Sequence, residues 1–170
     1  MSTAMEQLYQ QVILDHSKNP HGRGLVDPAG SGASAESHQV NPTCGDEVTM
    51  RVEFGTSASG DPTVERVSWE GQGCSISQAS LSVLTELVTG QDVTSGEHLA
   101  SVFRELMSSR GKGLDEASED ALGDAAAFTG VSQFPARIKC ALLGWAALRD
   151  TFAKAGVLGD VSSTDGARTA

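Results

Sequence analysis

Cysteines, basic residues and long apolar runs are scarce in this sequence, and each scarcity closes off a class of protein. There are three cysteines. An odd number makes a poor disulfide framework, and in a compartment that keeps thiols reduced it points to metal binding or sulfur chemistry. Twelve bases stand against 22 acids, a net charge of −10, so a nucleic-acid surface would have to overcome a repulsive field that no basic run offsets. Nucleic acid is therefore not an expected partner. No apolar run approaches the roughly 20 residues of a membrane span. The start, Met1-Ser2-Thr3-Ala4-Met5-Glu6-Gln7, has neither the basic nor the apolar block of a signal peptide. A cytoplasmic protein with no membrane association is expected.

The 170 residues, 39% of them hydrophobic, suffice for one core and not for two. One domain over 1–155 is expected, with 156–170 a disordered tail poor in apolar residues. Met5, Leu8, Tyr9, Val12 and His16 recur at helical spacing before Asn19-Pro20-His21-Gly22, which predicts a docked N-terminal helix. From 27 to 37 the composition turns to Gly, Ser, Ala and Pro, a flexible connection ending in a short strand at Ser37–Val40. Val48, Met50, Val52 and Phe54 alternate with polar residues, and Val64–Glu70 follows a turn rich in Gly, Ser and Asp. This is an antiparallel hairpin, three-stranded with the preceding segment.

After Cys74 the period changes. Ile76, Ala79, Ser80, Val83, Leu84, Leu87 and Val88 recur at three and four until Gly90, a helix pattern. Thr94 and Glu97 have capping-box spacing ahead of Leu99, Val102, Phe103, Leu106 and Met107. The stretch Asp115–Asp124 carries five acids and no base, and reads as a weakly held helix or a solvated loop. Pro135 fits the first turn of a last helix through Ile138, Leu142, Trp145, Leu148 and Phe152.

Chemistry is concentrated at three places. Cys44-Gly45-Asp46 offers a thiol and a carboxylate from one tight turn. Cys74 stands where a strand hands over to a helix, and unpaired N–H groups with the helix dipole favour its thiolate. Cys140 lies in the last helix one turn after Arg137 and one turn before Gly144, a pattern that sets a cation beside the thiol and little bulk over it. Three thiolates and one carboxylate make a complete tetrahedral zinc set. Each residue also has a plainer reading: Cys140 as a small buried hydrophobe, Asp46 as a turn acid, Gly73-Cys74 as a tight turn or a phosphate-binding joint, and Arg137 as a surface ion-pair partner. His16, His21, His38 and His98 are competing ligands or ordinary packed and solvated histidines.

Taken in order, four stretches resemble the SufU branch of the IscU/NifU-like proteins of iron–sulfur cluster assembly, over roughly residues 5–153. They are Leu8-Tyr9 with Val12-Ile13-Leu14-Asp15-His16-Ser17-Lys18-Asn19-Pro20; Asn41-Pro42-Thr43-Cys44-Gly45-Asp46; Gly71-Gln72-Gly73-Cys74-Ser75-Ile76-Ser77-Gln78-Ala79-Ser80; and Arg137-Ile138-Lys139-Cys140. Scaffold members of the IscU type carry a His immediately before the last cysteine and a proline-containing chaperone motif ahead of it. Here Lys139 takes that place, the chaperone motif is missing, and the region from Thr94 onward is similar to the insertion of SufU members.

The resemblance implies an α+β fold, a small antiparallel three-stranded sheet packed against about five helices, with Zn2+ held by Cys44, Asp46, Cys74 and Cys140. It implies a sulfurtransferase role: a SufS-like cysteine desulfurase docks, a ligand from it displaces Cys44 from zinc, and the freed thiolate takes the persulfide sulfur, with Arg137 stabilising that thiolate. Downstream iron–sulfur assembly proteins would receive the sulfur. The alternative is a scaffold on which the same residues assemble and pass on a [2Fe–2S] cluster; a third reading is a closed structural zinc adaptor.

Overall fold

The computed structural model describes residues 3–28, 32–43 and 45–157. Along the chain run α1 (Thr3–Lys18), β1 (Ser34–Asn41), β2 (Asp46–Thr56), β3 (Pro62–Gln72), α2 (Ser75–Val88), α3 (Val93–Met107), α4 (Glu116–Leu122), a 3-10 helix (Gly123–Gln133) and α5 (Pro135–Ala155). The three strands form one antiparallel sheet in the order β1-β2-β3, and with the five α-helices this is the expected α+β architecture. No helix among the described residues is long and apolar enough to cross a membrane.

The alternation in β2 decides which side of the sheet is buried. Val48, Met50 and Val52 have no exposure and Phe54 has 5%, each such side chain contributing about 1.5–3 kcal/mol by leaving water. Asp46, the first residue of β2, falls in the same phase and therefore faces the same buried side. On the other face Arg51 holds Glu36 at 2.6 Å. In β3 a strict period of two would not bury both Val64 and Val67. Glu53 pairs with Arg66 and Phe54 with Val64, so Glu65 is the extra residue of a β-bulge that turns both valines inward.

α5 packs on β1, β2 and α2, while α1 packs on α2 and the 3-10 helix. Ser37 of β1 donates to Asp150 of α5 at 2.6 Å, and Lys154 reaches the same carboxylate at 3.2 Å. Within the core Phe103 stacks on Trp145 at 4.9 Å. The Trp145 indole N–H donates to Ser80, whose hydroxyl donates to the Ala141 carbonyl, so α2 and α5 are joined by hydrogen bonds as well as by apolar contact.

Several expectations are corrected. β1 begins at Ser34 rather than Ser37, because pairing with β2 continues to Glu53. The docked face of α1 is carried by Tyr9, Val12, Ile13 and His16, whereas Met5 and Leu8 are 45% and 56% exposed. The Thr94/Glu97 capping box does not form. Asp92 is the N-cap and the Glu97 carboxylate is engaged by Arg149 of α5 through two hydrogen bonds, a stronger charged partner than a backbone N–H. Of the two readings of the acidic stretch, the helix is the one present, α4 over Glu116–Leu122, capped by Asp115, whose side chain accepts from Ser118. The 3-10 helix after it buries Ala125, Ala126, Ala127, Phe128 and Val131. At the other end Gly156 adopts φ 70° and the Val157 N–H donates to the Phe152 carbonyl, closing α5 by a Schellman motif. The tail expected from 156 lies, from 158 onward, outside the described residues.

Candidate metal centre

Three elements deliver polar side chains to one point beside the sheet. The Sγ atoms of Cys74 and Cys140 and a carboxylate oxygen of Asp46 all lie within 4.8 Å of one another. Zinc–thiolate bonds of 2.3 Å in a tetrahedron separate donor atoms by roughly 3.8 Å, so these atoms are spaced as the ligands of one ion would be. Cys44, the fourth expected ligand, lies outside the described residues; Thr43 and Gly45 on either side of it are described.

The β1–β2 connection is organised by its own backbone. Asn41 pairs with Asp46 across the strand ends, its carbonyl accepts from Gly45 at 2.9 Å, and its side chain accepts from the Thr43 N–H at 3.2 Å. Gly45 has φ +75°, a left-handed conformation that disfavours other residues and brings the chain back into β2. Asp46, 2% exposed, is then aimed at the start of α2, where its Oδ1 accepts from the Cys74 N–H at 3.3 Å.

Cys74 is the N-cap of α2 and its side chain makes no capping bond, so the exposed thiol is free of that role. The helix N-terminus favours negative charge there, on Asp46 as well as on the thiol. A Cβ at Gly73 would lie 2.8 Å from Asp46 Oδ1 and 3.0 Å from Ser77 Oγ. The glycine is what lets the carboxylate come this close. Cys140, 4% exposed, sits in the second turn of α5, its Sγ 3.7 Å from the Ala136 carbonyl.

Arg137 is exposed one turn earlier, its guanidinium 5.5 Å from the Phe134 ring centroid, and Lys139 is exposed next to Cys140. Gly144 does something other than uncover the thiol. It is buried, and a Cβ there would come within 2.6 Å of a Leu81 methyl, so it sets how closely α5 approaches α2. Of the histidines, His38 bonds Thr49 at 2.8 Å and joins no metal-type cluster among the described residues, and neither does His98. His16 and His21 form a second polar cluster with Glu86, which the sequence alone did not single out because its members are up to 70 positions apart.

The donor set fits a borderline-soft divalent ion. Two thiols and a carboxylate converge on one point and the Cys74 thiol is accessible. The class of protein is thus a small α+β fold that gathers two thiols and a carboxylate, a candidate metal site, where a strand start and two helices meet. The family model described as the NifU-like N terminal domain matches residues 8–141, and the chain belongs to that family. It is 41% identical over 150 residues to the zinc-dependent sulfurtransferase SufU of Bacillus subtilis, with 88% of this chain and 92% of that one covered. It is 36% identical over 147 residues to the iron-sulfur cluster assembly scaffold protein IscU of Streptococcus pyogenes, covering 86% and 83%. Among solved structures, a candidate iron–sulfur cluster assembly scaffold for the SUF system from Fervidobacterium islandicum AW-1 superposes with a TM-score of 0.68 at 31% identity, covering 86% of this chain and 97% of that one.

Proposed function

We propose that this protein is a zinc-dependent sulfur acceptor and transfer protein that takes persulfide sulfur from a SufS-like cysteine desulfurase and supplies it to iron–sulfur cluster assembly in the cytoplasm. The observation that carries this reading is the convergence of Asp46, Cys74 and Cys140 within 4.8 Å. Cys44 precedes Asp46 by two positions in the sequence, and we assign it as the fourth ligand. The similarity to the Bacillus subtilis sulfurtransferase supports the choice of zinc. Zinc would keep the thiols deprotonated at neutral pH and exchange its ligands without redox chemistry.

Cys44 is assigned as the acceptor because Cys74 caps α2 and Cys140 is buried in α5. Its thiolate attacks the outer sulfur of the desulfurase persulfide. The new S–S bond to Cys44 forms as the old one breaks, and the desulfurase cysteine leaves as a thiolate, so no external oxidant or reductant enters. Arg137, exposed near the start of α5, supplies positive charge to the thiolate before attack. Downstream iron–sulfur assembly proteins then receive the sulfur.

Scaffold-type relatives keep a second reading in view, in which the same residues assemble a [2Fe–2S] cluster. Lys139 at the position before Cys140 favours the sulfur relay. Turnover of the cognate cysteine desulfurase, measured without iron, separates the two. The zinc-loaded protein is expected to stimulate it strongly and to lose that effect when stripped. Absence of stimulation, with a cluster forming once iron is supplied, would establish the scaffold instead.

A further inference from the structure

A second group of metal-type donors lies where α1, α2 and the 3-10 helix meet. Glu86 is 12 residues beyond Cys74 on α2, which at 1.5 Å per residue is about 18 Å along the helix. It belongs to a different part of the surface from the thiols. One donor atom each from His16, His21 and Glu86 lie within 4.8 Å of one another. His16 Nε2 is 3.0 Å from Asp124 Oδ2 and 3.8 Å from Glu86 Oε1, and His21 Nε2 is 3.3 Å from Glu86 Oε2. A tetrahedral ion with bonds of 2.0–2.1 Å to nitrogen and oxygen has donor separations of roughly 3.3 Å. The observed spacings bracket that value.

The supporting contacts also match a metal site. His16 is 7% exposed, and its other ring nitrogen, Nδ1, is 2.7 Å from the Ser82 hydroxyl. The same hydroxyl oxygen accepts from the His21 N–H at 2.8 Å. With Nδ1 protonated, the two lone pairs of Ser82 take both donors, and His16 Nε2 is left unprotonated toward Glu86 and Asp124. This is the second contact by which metal-bound imidazoles are held in tautomer and orientation. His21, Glu86 and Asp124 have side chains 52%, 49% and 52% exposed, so an ion has a path in. The two carboxylates neutralise its charge.

We propose that His16, His21 and Glu86 form a second metal site, for a divalent first-row transition cation of the zinc type, that ties the N-terminal helix to α2, with Asp124 of the 3-10 helix beside His16 as a neighbouring charge. It does not rest on the sulfur-transfer reading. The alternative is a set of plain ion pairs in which protons, not a metal, bridge the histidines to the acids.

The test uses the full chain, already carrying zinc at its thiols, in equilibrium dialysis against further zinc while the histidine ring resonances are followed by NMR. The expected result is a second equivalent, bound with movement of the His16 and His21 signals and none of His38 or His98. His21→Ala and Glu86→Gln, both half-exposed changes, should each weaken that second equivalent at least tenfold. Uptake of no further zinc at millimolar concentration would overturn the proposal. So would a second equivalent that binds equally well to both variants, or that leaves the His16 and His21 signals unmoved. The ring signals report this site whatever the thiols hold.

Discussion

Replacing Gly73 by alanine isolates the Asp46 carboxylate from every other feature of the metal centre. The backbone of Gly73 is not in the left-handed region, so the cost is steric. The new methyl would meet Asp46 Oδ1 at 2.8 Å, its Cγ at 3.0 Å and Ser77 Oγ at 3.0 Å. Ser77 can rotate, but Asp46 is 2% exposed and bonded to the Cys74 N–H, so relief has to come from moving the carboxylate by several tenths of an ångström. Overpacking of this kind costs about 1–3 kcal/mol. If Asp46 is a ligand, that cost falls on metal binding as roughly a 5- to 150-fold loss of affinity. Zinc affinity measured by competition with a chromophoric chelator, alongside the thermal midpoint of the stripped protein, gives both numbers. The expected pattern is a large loss of affinity with a midpoint lowered by only a few degrees. Unchanged affinity would mean that Asp46 does not contact the metal, and the ligand set would have to be rebuilt without it.

Two other perturbations test contacts that hold the fold together. The Asp150 carboxyl is held below its ordinary value chiefly by the Ser37 hydroxyl and secondarily by Lys154, against the opposing effect of burial. Its folded value is depressed, so its contribution is present above the ordinary aspartate range, about pH 4, and is lost as pH falls through the folded value. Ser37→Ala should raise the Asp150 value in an NMR titration and lower stability at neutral pH by less than about 1 kcal/mol, since the carboxylate is partly solvated, with the difference vanishing in strong acid; an unmoved titration would refute the assignment. Ser82→Ala leaves the His16 Nδ1 and the His21 N–H without their common partner and should cost about 1–3 kcal/mol. That is a midpoint drop of about 2–4 °C per kcal/mol for a domain of this size, whereas Ser101→Ala on the exposed side of α3 serves as the neutral control; equal midpoints would show that the hydroxyl carries no load.

The elements legible in the sequence are those whose burial follows a single period. Alternation from Val48 to Phe54 marked β2 and the inward face of the sheet, and Asp46 shares that phase. The three-and-four spacing after Cys74 marks α2, and the motifs of a known family, held in order, join Cys74 and Cys140 to Asp46. What escaped depends on contacts between distant residues. Glu97 has capping-box spacing in the sequence, but Arg149, 52 positions away, is the better partner for its charge. The run Gly123–Gln133 has three successive buried alanines, which neither a helical nor a strand period distinguishes. Gly144 pointed to an open thiol in sequence and to a tight α2–α5 contact in the fold. Val64 is buried only because Glu65 bulges.

The most direct test of the account is to incubate the zinc-loaded protein with a SufS-like cysteine desulfurase and cysteine, without iron, and to map by peptide mass spectrometry which residue gains one sulfur atom. The account predicts a persulfide on Cys44, with Cys44→Ala no longer taking up sulfur. Sulfur appearing instead on Cys74 or Cys140, or uptake at the normal rate in Cys44→Ala, would contradict it.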